Sequence, residues 1–373
     1  MIRIVHIITG LGSGGAENML YKLIKYSDKS KYYHEVISLM DEGVIGKKII
    51  DEGTKVHSIN LSIKKPINSI IEIKNICKNF DIVNTWLYHA DMIGFIVSKI
   101  LLKKKLIWNI RHSNLEKKAN KARTLLIVKI NSMLSKYVDH ITYNSRKAKH
   151  THSDIGYTNK SFTIIPNGFE LNSFKFYSEA RNDIRNQLNI EDFEKLIITV
   201  GRWDIQKDYY TLFDALFDVA KANINFKLLM VGINLDSRNN ELIKLIEKNG
   251  LSDNVILLGR RNDIPELLSA ADIYVSSSMG ESFSNSIGEA MATELPCIVT
   301  DVGDSKLIVD DFGIVVKPQN REELANAIFK VIPDNSFSRK TIGKKCRSKI
   351  VDNYSIDNIV RDYESLYNVV MGK

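Results

Sequence analysis

Short runs of β-branched residues alternate with longer amphipathic segments along this chain, and the alternation starts twice. Such a pattern is typical of a parallel sheet covered by helices. The first set of predicted strands is Arg3–Thr9, His34–Leu39, Lys55–Asn60, Asp81–Trp86, Leu106–Ile110 and His140–Asn144. The second set is Lys195–Gly201, Phe226–Val231, Asn254–Leu258, Asp272–Ser276, Cys297–Thr300 and Gly313–Val316. The sequence therefore predicts two α/β domains.

A polar, irregular stretch from Asn167 to about Glu194 separates the two sets of strands and is the predicted linker. We expect a first domain over residues 1–170 and a second over residues 171–353. Beyond Tyr354, apolar residues recur at helical spacing, which predicts a final amphipathic helix over residues 354–373. That helix needs an apolar surface to cover.

The positive charge of the chain is concentrated in one segment. Residues 99–149 contain fourteen Lys or Arg against two acids, Glu116 and Asp139. Such a segment suits a partner that carries phosphates, such as anionic lipid, a lipid-linked pyrophosphate or nucleic acid, or it is simply a solvated face. No stretch reaches the roughly 18 apolar residues of a membrane span, and the first apolar run is too short for a signal peptide. The expected location is therefore the cytoplasm.

Four glycines follow the first predicted strand and precede a helix: Gly10, Gly12, Gly14 and Gly15. Glycines at such a turn let the backbone approach a phosphate, whose charge is favoured by the helix N-terminus. Their spacing also satisfies the dinucleotide fingerprint, with Asp41 or Glu42 as a possible ribose ligand. Alone, the pattern also fits a plain strand-to-helix turn that binds nothing.

Two cations flank the turn after the first strand of the second set, Arg202 and Lys207. Both can reach one diphosphate, Arg202 through its planar fork and Lys207 as a point charge. When a nucleoside diphosphate leaves, negative charge develops on its bridging oxygen, and these cations can stabilise that charge without a metal. We find no His/Cys cluster or Asp-x-Asp pair placed for a metal, and we expect Cys77, Cys297 and Cys346 to be reduced.

Two carboxylates stand eight residues apart near the start of a predicted helix. Glu281 is predicted in the loop after strand Asp272–Ser276, and Glu289 about two turns into a helix that starts near Ser284. A carboxylate accepts hydrogen bonds from two vicinal hydroxyls, so this pair can hold a hexose at one end and a ribose at the other. The amides between them suit a phosphate.

These motifs resemble the retaining GT-B glycosyltransferases of family 4. The likeness includes Gly-Gly-Ala-Glu at 14–17, Pro166-Asn167-Gly168, the Gly201-Arg202…Lys207 turn, Ala271-Asp272, Glu281-x₇-Glu289 and Thr300-Asp301-Val302-Gly303. The resemblance implies two facing Rossmann-like domains with parallel sheets and a cleft between them. It also implies that the first domain binds the acceptor, that the second binds the donor, and that the final helix packs back on the first domain.

The resemblance also implies roles for single residues. Arg202 and Lys207 would bind the donor diphosphate, Glu281 the hydroxyls of the donor sugar and Glu289 the ribose, and Gly14 and Gly15 would line the phosphate side. The usual Glu-Gly-Phe-Pro is Glu281-Ser282-Phe283-Ser284 here. We expect donor contacts from this loop and the helix start that follows it, from Phe283, Ser284 and Asn285.

The family has a first-domain histidine near the reacting end of the donor sugar. His112, in Asn109-Ile110-Arg111-His112-Ser113, is the candidate by resemblance, and His89 is its competitor. His89 could equally line the acceptor side, where we also place Glu17.

The resemblance favours transfer of a sugar from a nucleoside diphosphate, with UDP preferred and anomeric configuration retained, to a saccharide or lipid-linked acceptor. Neither a cofactor nor a metal is expected. The alternatives are a GT-B sugar-nucleotide epimerase, a phosphorylase, an NAD(P)-dependent Rossmann oxidoreductase and a non-catalytic nucleic-acid binder. The favoured hypothesis has no nucleic-acid partner. It places the enzyme on the inner face of the cell membrane through basic residues 99–149 and the apolar residues that follow Arg123.

Overall fold

The computed structural model describes residues 1–61, 66–115, 120–332 and 337–373. The described chain divides into two compact units, one of residues Met1–Gly168 with Ile356–Lys373 and the other of residues Phe169–Ser355. These boundaries lie close to residues 170 and 353, where the sequence places them. Glu116, Lys117 and Lys118 of the basic segment lie outside the described residues.

Seven described strands form the sheet of the first unit, and all of their pairings are parallel. They are β1 (Ile2–Ile8), β2 (Tyr32–Ser38), β3 (Val56–Ser58), β4 (Ile82–Trp86), β5 (Lys105–Ile110), β6 (His140–Tyr143) and β7 (Phe162–Ile164). Their order is β3-β2-β1-β4-β5-β6-β7. The last strand, which has three residues and none of them buried, is absent from the sequence prediction.

The second unit has a parallel sheet of six strands among the described residues. They are β8 (Lys195–Val200), β9 (Phe226–Val231), β10 (Val255–Gly259), β11 (Ile273–Ser276), β12 (Cys297–Thr300) and β13 (Ile314–Val316), in the order β10-β9-β8-β11-β12-β13. Both sheets are therefore parallel and connected by helices, as the sequence predicts.

Helices connect the strands in both units. In the first unit they are α1 (Gly15–Tyr26), α2 (Gly43–Asp51), α3 (Pro66–Cys77), α4 (Tyr88–Phe95, continued by a π-helical segment), α5 (Ala122–Leu134) and α6 (Arg146–Asp154). In the second they are α7 (Ser178–Gln187), α8 (Tyr209–Lys221), α9 (Asn240–Lys248), α10 (Ile264–Ala270), α11 (Asn285–Ala292), α12 (Ser305–Val309), α13 (Arg321–Val331) and α14 (Lys344–Tyr354). Within these described ranges, no helix combines the length and hydropathy that crossing a bilayer requires.

Helix α7 corrects one sequence prediction, because it lies inside the stretch predicted to be an irregular linker. Only one of its apolar side chains, Ile184, is buried, so the stretch lacks the apolar period that marks a helix. Two arginines dock it instead: Arg181 and Arg185 both contact the Asp272 carboxylate, with nitrogen–oxygen distances of 2.6 and 3.3 Å.

The final helix, α15 (Ile356–Met371), completes the core of the first unit. Its buried apolar residues share one cluster with the buried residues of α1 and of the inner strands β1 and β4. They recur at helical spacing: Ile356, Ile359, Val360, Tyr363, Leu366, Tyr367 and Val370. The three cysteines are free and buried.

A directional chain of hydrogen bonds ties α15 to the first sheet. The Trp86 indole donates to His6 Nδ1 (3.2 Å), and His6 Nε2 bonds His34 Nδ1 (2.9 Å). His34 Nε2 then bonds the hydroxyl of Ser27 (3.1 Å), which donates to Glu364 (2.9 Å). Because an indole can only donate, it fixes the tautomers of both neutral histidines. Burial lowers the pKa of His34 to about 4 and lowers that of His6 well below its usual value.

This arrangement predicts that acid destabilises the first unit. The unfolded chain protonates His34 near pH 6.5, but the folded chain does so only near pH 4, so stability falls as pH drops from 6.5 to 4. The loss from His34 alone is about 3 kcal/mol. We would follow it by urea unfolding of a Trp203→Phe variant, in which the two remaining tryptophans, Trp86 and Trp108, both lie in the first unit. His34→Gln should flatten the dependence on pH, and an unchanged slope would contradict the assignment.

Candidate functional site

The second sheet changes winding direction at β8, which has β9 on one side and β11 on the other. Open α/β sheets bind ligands outside the carboxyl ends of the strands at such a point. Lys207 follows β8 and Glu281 follows β11, and the ammonium of Lys207 lies 2.5 Å from Glu281 Oε1. The fold thus joins two of the residues that the sequence singles out.

Hydroxyl groups hold this ion pair in place. Ser278 Oγ donates to Glu281 Oε1 (3.0 Å), and Ser277 Oγ donates to the carbonyl of Lys207 (2.9 Å). Thr300, at the end of β12, donates to the carbonyl of Ser278 (2.5 Å). Three neighbouring strand ends, those of β8, β11 and β12, therefore position the pair. The sequence alone assigns no role to these three hydroxyls, although Thr300 belongs to a motif of the family resemblance. A serine run after a strand is too common to mark a site.

Arg202 has a different environment from Lys207. Its side chain is largely exposed, and its Nε donates to Asp204 (2.8 Å). Asp204 also accepts from the backbone N–H of Gln206 (2.9 Å), and these interactions lower the pKa of Asp204 although burial opposes the shift. Each of the two predicted diphosphate ligands is therefore already paired with a carboxylate of the same unit.

Gly303 supports the loop that carries Glu281. Its φ is +58°, and an added Cβ would lie 2.6 Å from the Glu281 carbonyl and 2.7 Å from that of Ser282. The backbone N–H of Asp304 donates to the Ser282 carbonyl (3.1 Å). Only glycine meets both demands at low cost. Gly303 belongs to a motif of the family resemblance, but the sequence alone gives it no role.

Helix α11 begins at Asn285 with Ser284 as its N-cap, so Glu289 lies little more than one turn into it and not two. Ser284 is buried and, as N-cap, precedes the first amides of the helix. The half-buried residues of α11 are Asn285, Ser286 and Glu289, whereas Ile287, Ala290 and Met291 face the core. Asn285 and Glu289, both predicted to contact the donor, thus lie on the same half-buried face of α11.

Phe283 points its ring away from that face. The side chain is buried, stacks with Phe169 at a centroid distance of 6.2 Å, and meets the edge of Tyr354 at 5.5 Å. Of Phe283, therefore, only the backbone can make the predicted contact with the donor. The Phe283 ring thus supports the loop that carries Glu281 by packing into the core of the second unit.

The first sheet changes winding direction at β1, between β2 and β4. Gly14 and Gly15 follow β1, are exposed, and start α1, as the sequence predicts. Glu17, in the first turn of α1, folds back toward them, and a Cβ on Gly14 would collide with its carboxylate. Burial raises the pKa of Glu17. The helix N-terminus that the sequence assigns to a phosphate thus already has a protein carboxylate beside it.

Both candidate histidines follow neighbouring strands of the first sheet and are half-buried. His89 is the second residue of α4 and follows β4 at the winding change, whereas His112 follows β5, one strand further out. Burial and then Arg123 lower the pKa of His89. Leu87, just before it, has a φ of +73°, a conformation that costs a non-glycine residue on the order of 1–3 kcal/mol. Both histidines remain predicted site residues.

No group of three or more His, Cys, Asp or Glu residues is placed to hold a metal ion within the described ranges. The arrangement at the second sheet instead combines two cations, a carboxylate in the loop and a second carboxylate on a helix face. Together they can bind an anion with hydroxyl-bearing groups on either side.

This fold and site define a class, the GT-B glycosyltransferases. The sequence matches "Glycosyltransferase Family 4" over residues 13–173 and "Glycosyl transferases group 1" over residues 180–349. These two matches span most of the chain, and the chain belongs to the family 4-like glycosyltransferases of GT-B fold. The oxidoreductase and nucleic-acid hypotheses do not describe this family.

Relatives and similar structures agree with this class. The chain is 25% identical over 320 residues to an Escherichia coli UDP-Gal:alpha-D-GlcNAc-diphosphoundecaprenol alpha-1,3-galactosyltransferase, covering 83% of this chain and 81% of that protein. It is 24% identical to a Campylobacter jejuni N-acetylgalactosamine-N,N'-diacetylbacillosaminyl-diphospho-undecaprenol 4-alpha-N-acetylgalactosaminyltransferase, covering 94% and 95%. The fold is similar to that of Anabaena HepE in complex with UDP, with a TM-score of 0.87, 21% identity, and 99% and 100% of the chains covered.

The ion pair predicts a large effect of Lys207→Ala on catalysis. Loss of one charge-stabilising group should lower turnover by about 10²–10³, measured as release of nucleoside diphosphate from the sugar donor. Lys349→Ala is a matched control, because Lys349 also lies 2.5 Å from a carboxylate, that of Asp310, and its side chain is 20% exposed against 22% for Lys207. Equal turnover in the two variants would remove Lys207 from the mechanism.

Proposed function

We propose that the chain transfers a hexosyl or N-acetylhexosaminyl residue from a UDP-sugar to a lipid-linked saccharide, in polysaccharide or glycolipid synthesis. Transfer proceeds with retention and without a metal ion or cofactor. The observation that carries this proposal is the contact between Lys207 and Glu281 at the winding change of the second sheet. The family to which the chain belongs supplies the reaction type.

Lys207 and Arg202 act on the leaving group. When the bond between the anomeric carbon and the donor phosphate breaks, negative charge builds on the phosphate oxygen. Two fixed cations stabilise that charge more than they stabilise the intact donor, which lowers the barrier. The incoming diphosphate competes with Glu281 for Lys207 and with Asp204 for Arg202, so donor binding exchanges internal ion pairs for substrate contacts.

Glu281 and Glu289 orient the two ends of the donor. Glu281, released from part of its contact with Lys207, accepts hydrogen bonds from the sugar hydroxyls. Glu289, on the half-buried face of α11, accepts from the ribose hydroxyls. The acceptor oxygen then bonds to the anomeric carbon on the face that the diphosphate leaves, and its proton passes to a diphosphate oxygen. This front-face route gives retention and follows from the family resemblance.

UDP is the proposed nucleotide for two reasons. The E. coli relative is named for UDP-Gal, and HepE, whose fold is similar, has been solved with UDP and with UDP-glucose. Both named relatives also act on diphosphoundecaprenol-linked acceptors. An acceptor of that kind is held in a membrane, so the enzyme must reach a lipid surface.

Helix α5 offers a surface for that purpose. Its exposed apolar side chains recur at helical spacing, at Leu126, Ile130 and Met133, and Tyr137 continues the row. Exposed cations flank the row: Lys121, Arg123, Lys129 and Lys136. An apolar stripe bordered by Lys and Arg suits the interface of an anionic bilayer.

The same helix lies beside a candidate site residue. Asn131 of α5 donates to the carbonyl of Tyr88 (2.9 Å), next to His89 on α4, and Arg123 is close enough to lower the pKa of His89. A lipid-linked acceptor at this surface would therefore have its saccharide near His89. We propose His89 and Glu17 on the acceptor side and His112 near the reacting carbon.

Calorimetry with UDP, GDP and ADP tests the donor proposal. We expect UDP to bind most tightly, Glu289→Ala to weaken UDP binding because a ribose contact is lost, and Glu281→Ala to spare it while reducing sugar transfer. Equal UDP affinity in both variants would contradict the ribose role of Glu289. Absence of transfer from every sugar nucleotide tried would contradict the proposed activity itself.

Vesicle sedimentation tests the membrane proposal. Wild-type protein should pellet with anionic phosphatidylglycerol vesicles and less with phosphatidylcholine, and salt should weaken the binding. Leu126→Ser with Met133→Ser should lower the partition coefficient at least tenfold, since each buried side chain contributes about 1.5–3 kcal/mol. Val369→Ser is the control, because Val369 is 68% exposed on α15, similar to Leu126 (61%) and Met133 (67%). Negligible pelleting with both lipids would rule out this surface.

A further inference from the structure

Arg111 is a buried guanidinium just after β5, and only 9% of the residue is exposed. Its Nη1 donates to Asn109 Oδ1 (3.1 Å), to the Tyr363 hydroxyl (2.9 Å) and toward the Ile165 carbonyl (3.4 Å). Its Nη2 donates to Asn167 Oδ1 (2.5 Å), and the group lies 5.3 Å from the centre of the Trp86 ring. Among the described residues, every hydrogen-bond acceptor around it is a neutral oxygen.

These acceptors come from three separate parts of the first unit. Asn109 is on β5, and Asn167 stands one residue before Gly168, where the chain leaves this unit. Tyr363 is on α15, which starts where the chain returns at Ile356. The two crossing segments also touch each other, since a Cβ on Gly168 would lie 2.7 Å from the Ile356 side chain. Arg111 therefore binds Asn167, next to the point where the chain leaves this unit, and Tyr363, on the helix that begins where the chain returns.

His112 is the next residue along the chain. The carbonyl of Arg111, in the peptide that joins the two residues, accepts from Asn144 Nδ2 (3.4 Å), which follows β6. The residue before His112 is thus held at two points. Three segments of the chain bind the Arg111 guanidinium, and a residue after a neighbouring strand binds the Arg111 carbonyl. A planar guanidinium with five donors can bridge several acceptors in fixed directions, and a lysine ammonium cannot reproduce this arrangement.

We propose that Arg111 is a positioning residue, which fixes His112 for sugar transfer by tying it to the two crossing segments through Tyr363 and Asn167. This inference rests on the proposed function, in which His112 lies near the reacting carbon. It assigns a role in turnover to side chains that do not touch the substrate. Donor binding should not need them, because Lys207, Glu281 and Glu289 all belong to the second unit.

Two tyrosines on α15 provide a matched test. The Tyr363 hydroxyl accepts from Arg111 (2.9 Å) and also bonds the Asn109 side chain (3.0 Å), whereas the Tyr367 hydroxyl accepts from Asn84 (3.0 Å). Both rings are fully buried. Tyr363→Phe should lower kcat about tenfold, since small displacements of a reacting group have effects up to about 10²-fold. Tyr367→Phe should leave kcat unchanged. Tyr363→Phe should lower the melting temperature at least as much as Tyr367→Phe, because its hydroxyl has two partners, and both variants should bind UDP as wild type does.

Arg111→Met and Arg111→Lys test the guanidinium itself, and both should lower kcat by about 10²-fold without changing UDP affinity. In a His112→Ala background, Tyr363→Phe should have no further effect on kcat, because the two changes act through one group.

If Arg111 variants fail to fold, the tyrosine pair and this double variant still decide the question. Equal kcat for Tyr363→Phe and Tyr367→Phe, or additive effects with His112→Ala, would overturn the proposal. An inactive wild-type enzyme would instead contradict the proposed function.

Discussion

Parallel pairing is the constraint on which both units depend. Because all strands of a sheet run in one direction, their carboxyl ends share one edge, and loops from distant parts of the sequence meet there. The pairing of β8 with β11 brings Lys207 to Glu281 across 74 residues of chain. In the first unit, the pairing of β1 with β4 places the glycine turn and His89 at the same winding change. In both units, the order of the strands decides which of the candidate residues lie close together.

Both predicted diphosphate ligands have a counter-charge within the second unit. Lys207 is paired with Glu281 and Arg202 with Asp204, so neither cation is held without a counter-charge before a ligand arrives. Lys207 is mostly buried and would be costly without a counter-charge, and the Glu281 carboxylate offsets that cost. A diphosphate, with more negative charge than one carboxylate, can replace it. Glu17 stands in a similar relation to the N-terminus of α1, where its own carboxylate lies beside Gly14.

Much of the fold could be predicted because apolar periodicity is a local property of sequence. Twelve of the thirteen described strands were predicted within a residue or two, whereas β7 and helix α7, which is docked through Arg181 and Arg185, were not. The candidate site was predicted from charged residues near strand ends. Its supports could not be, because Ser278, Thr300 and Gly303 act through contacts that depend on tertiary structure. For the same reason Phe283 was assigned to the ligand although its ring belongs to the core.

The first unit is built from two pieces of chain with the whole second unit between them. During synthesis, residues 1–168 emerge first, but α15 emerges only after residues 169–355. Until then the face of the first sheet formed by Ile4, Ile8 and Trp86 lacks one of the helices that cover it, and His34 and Ser27 lack Glu364. The second unit can fold as soon as it emerges, because its strands and helices are contiguous. The N-terminal half of this enzyme thus waits for its last helix, and in that interval its open apolar face is a natural target for chaperones.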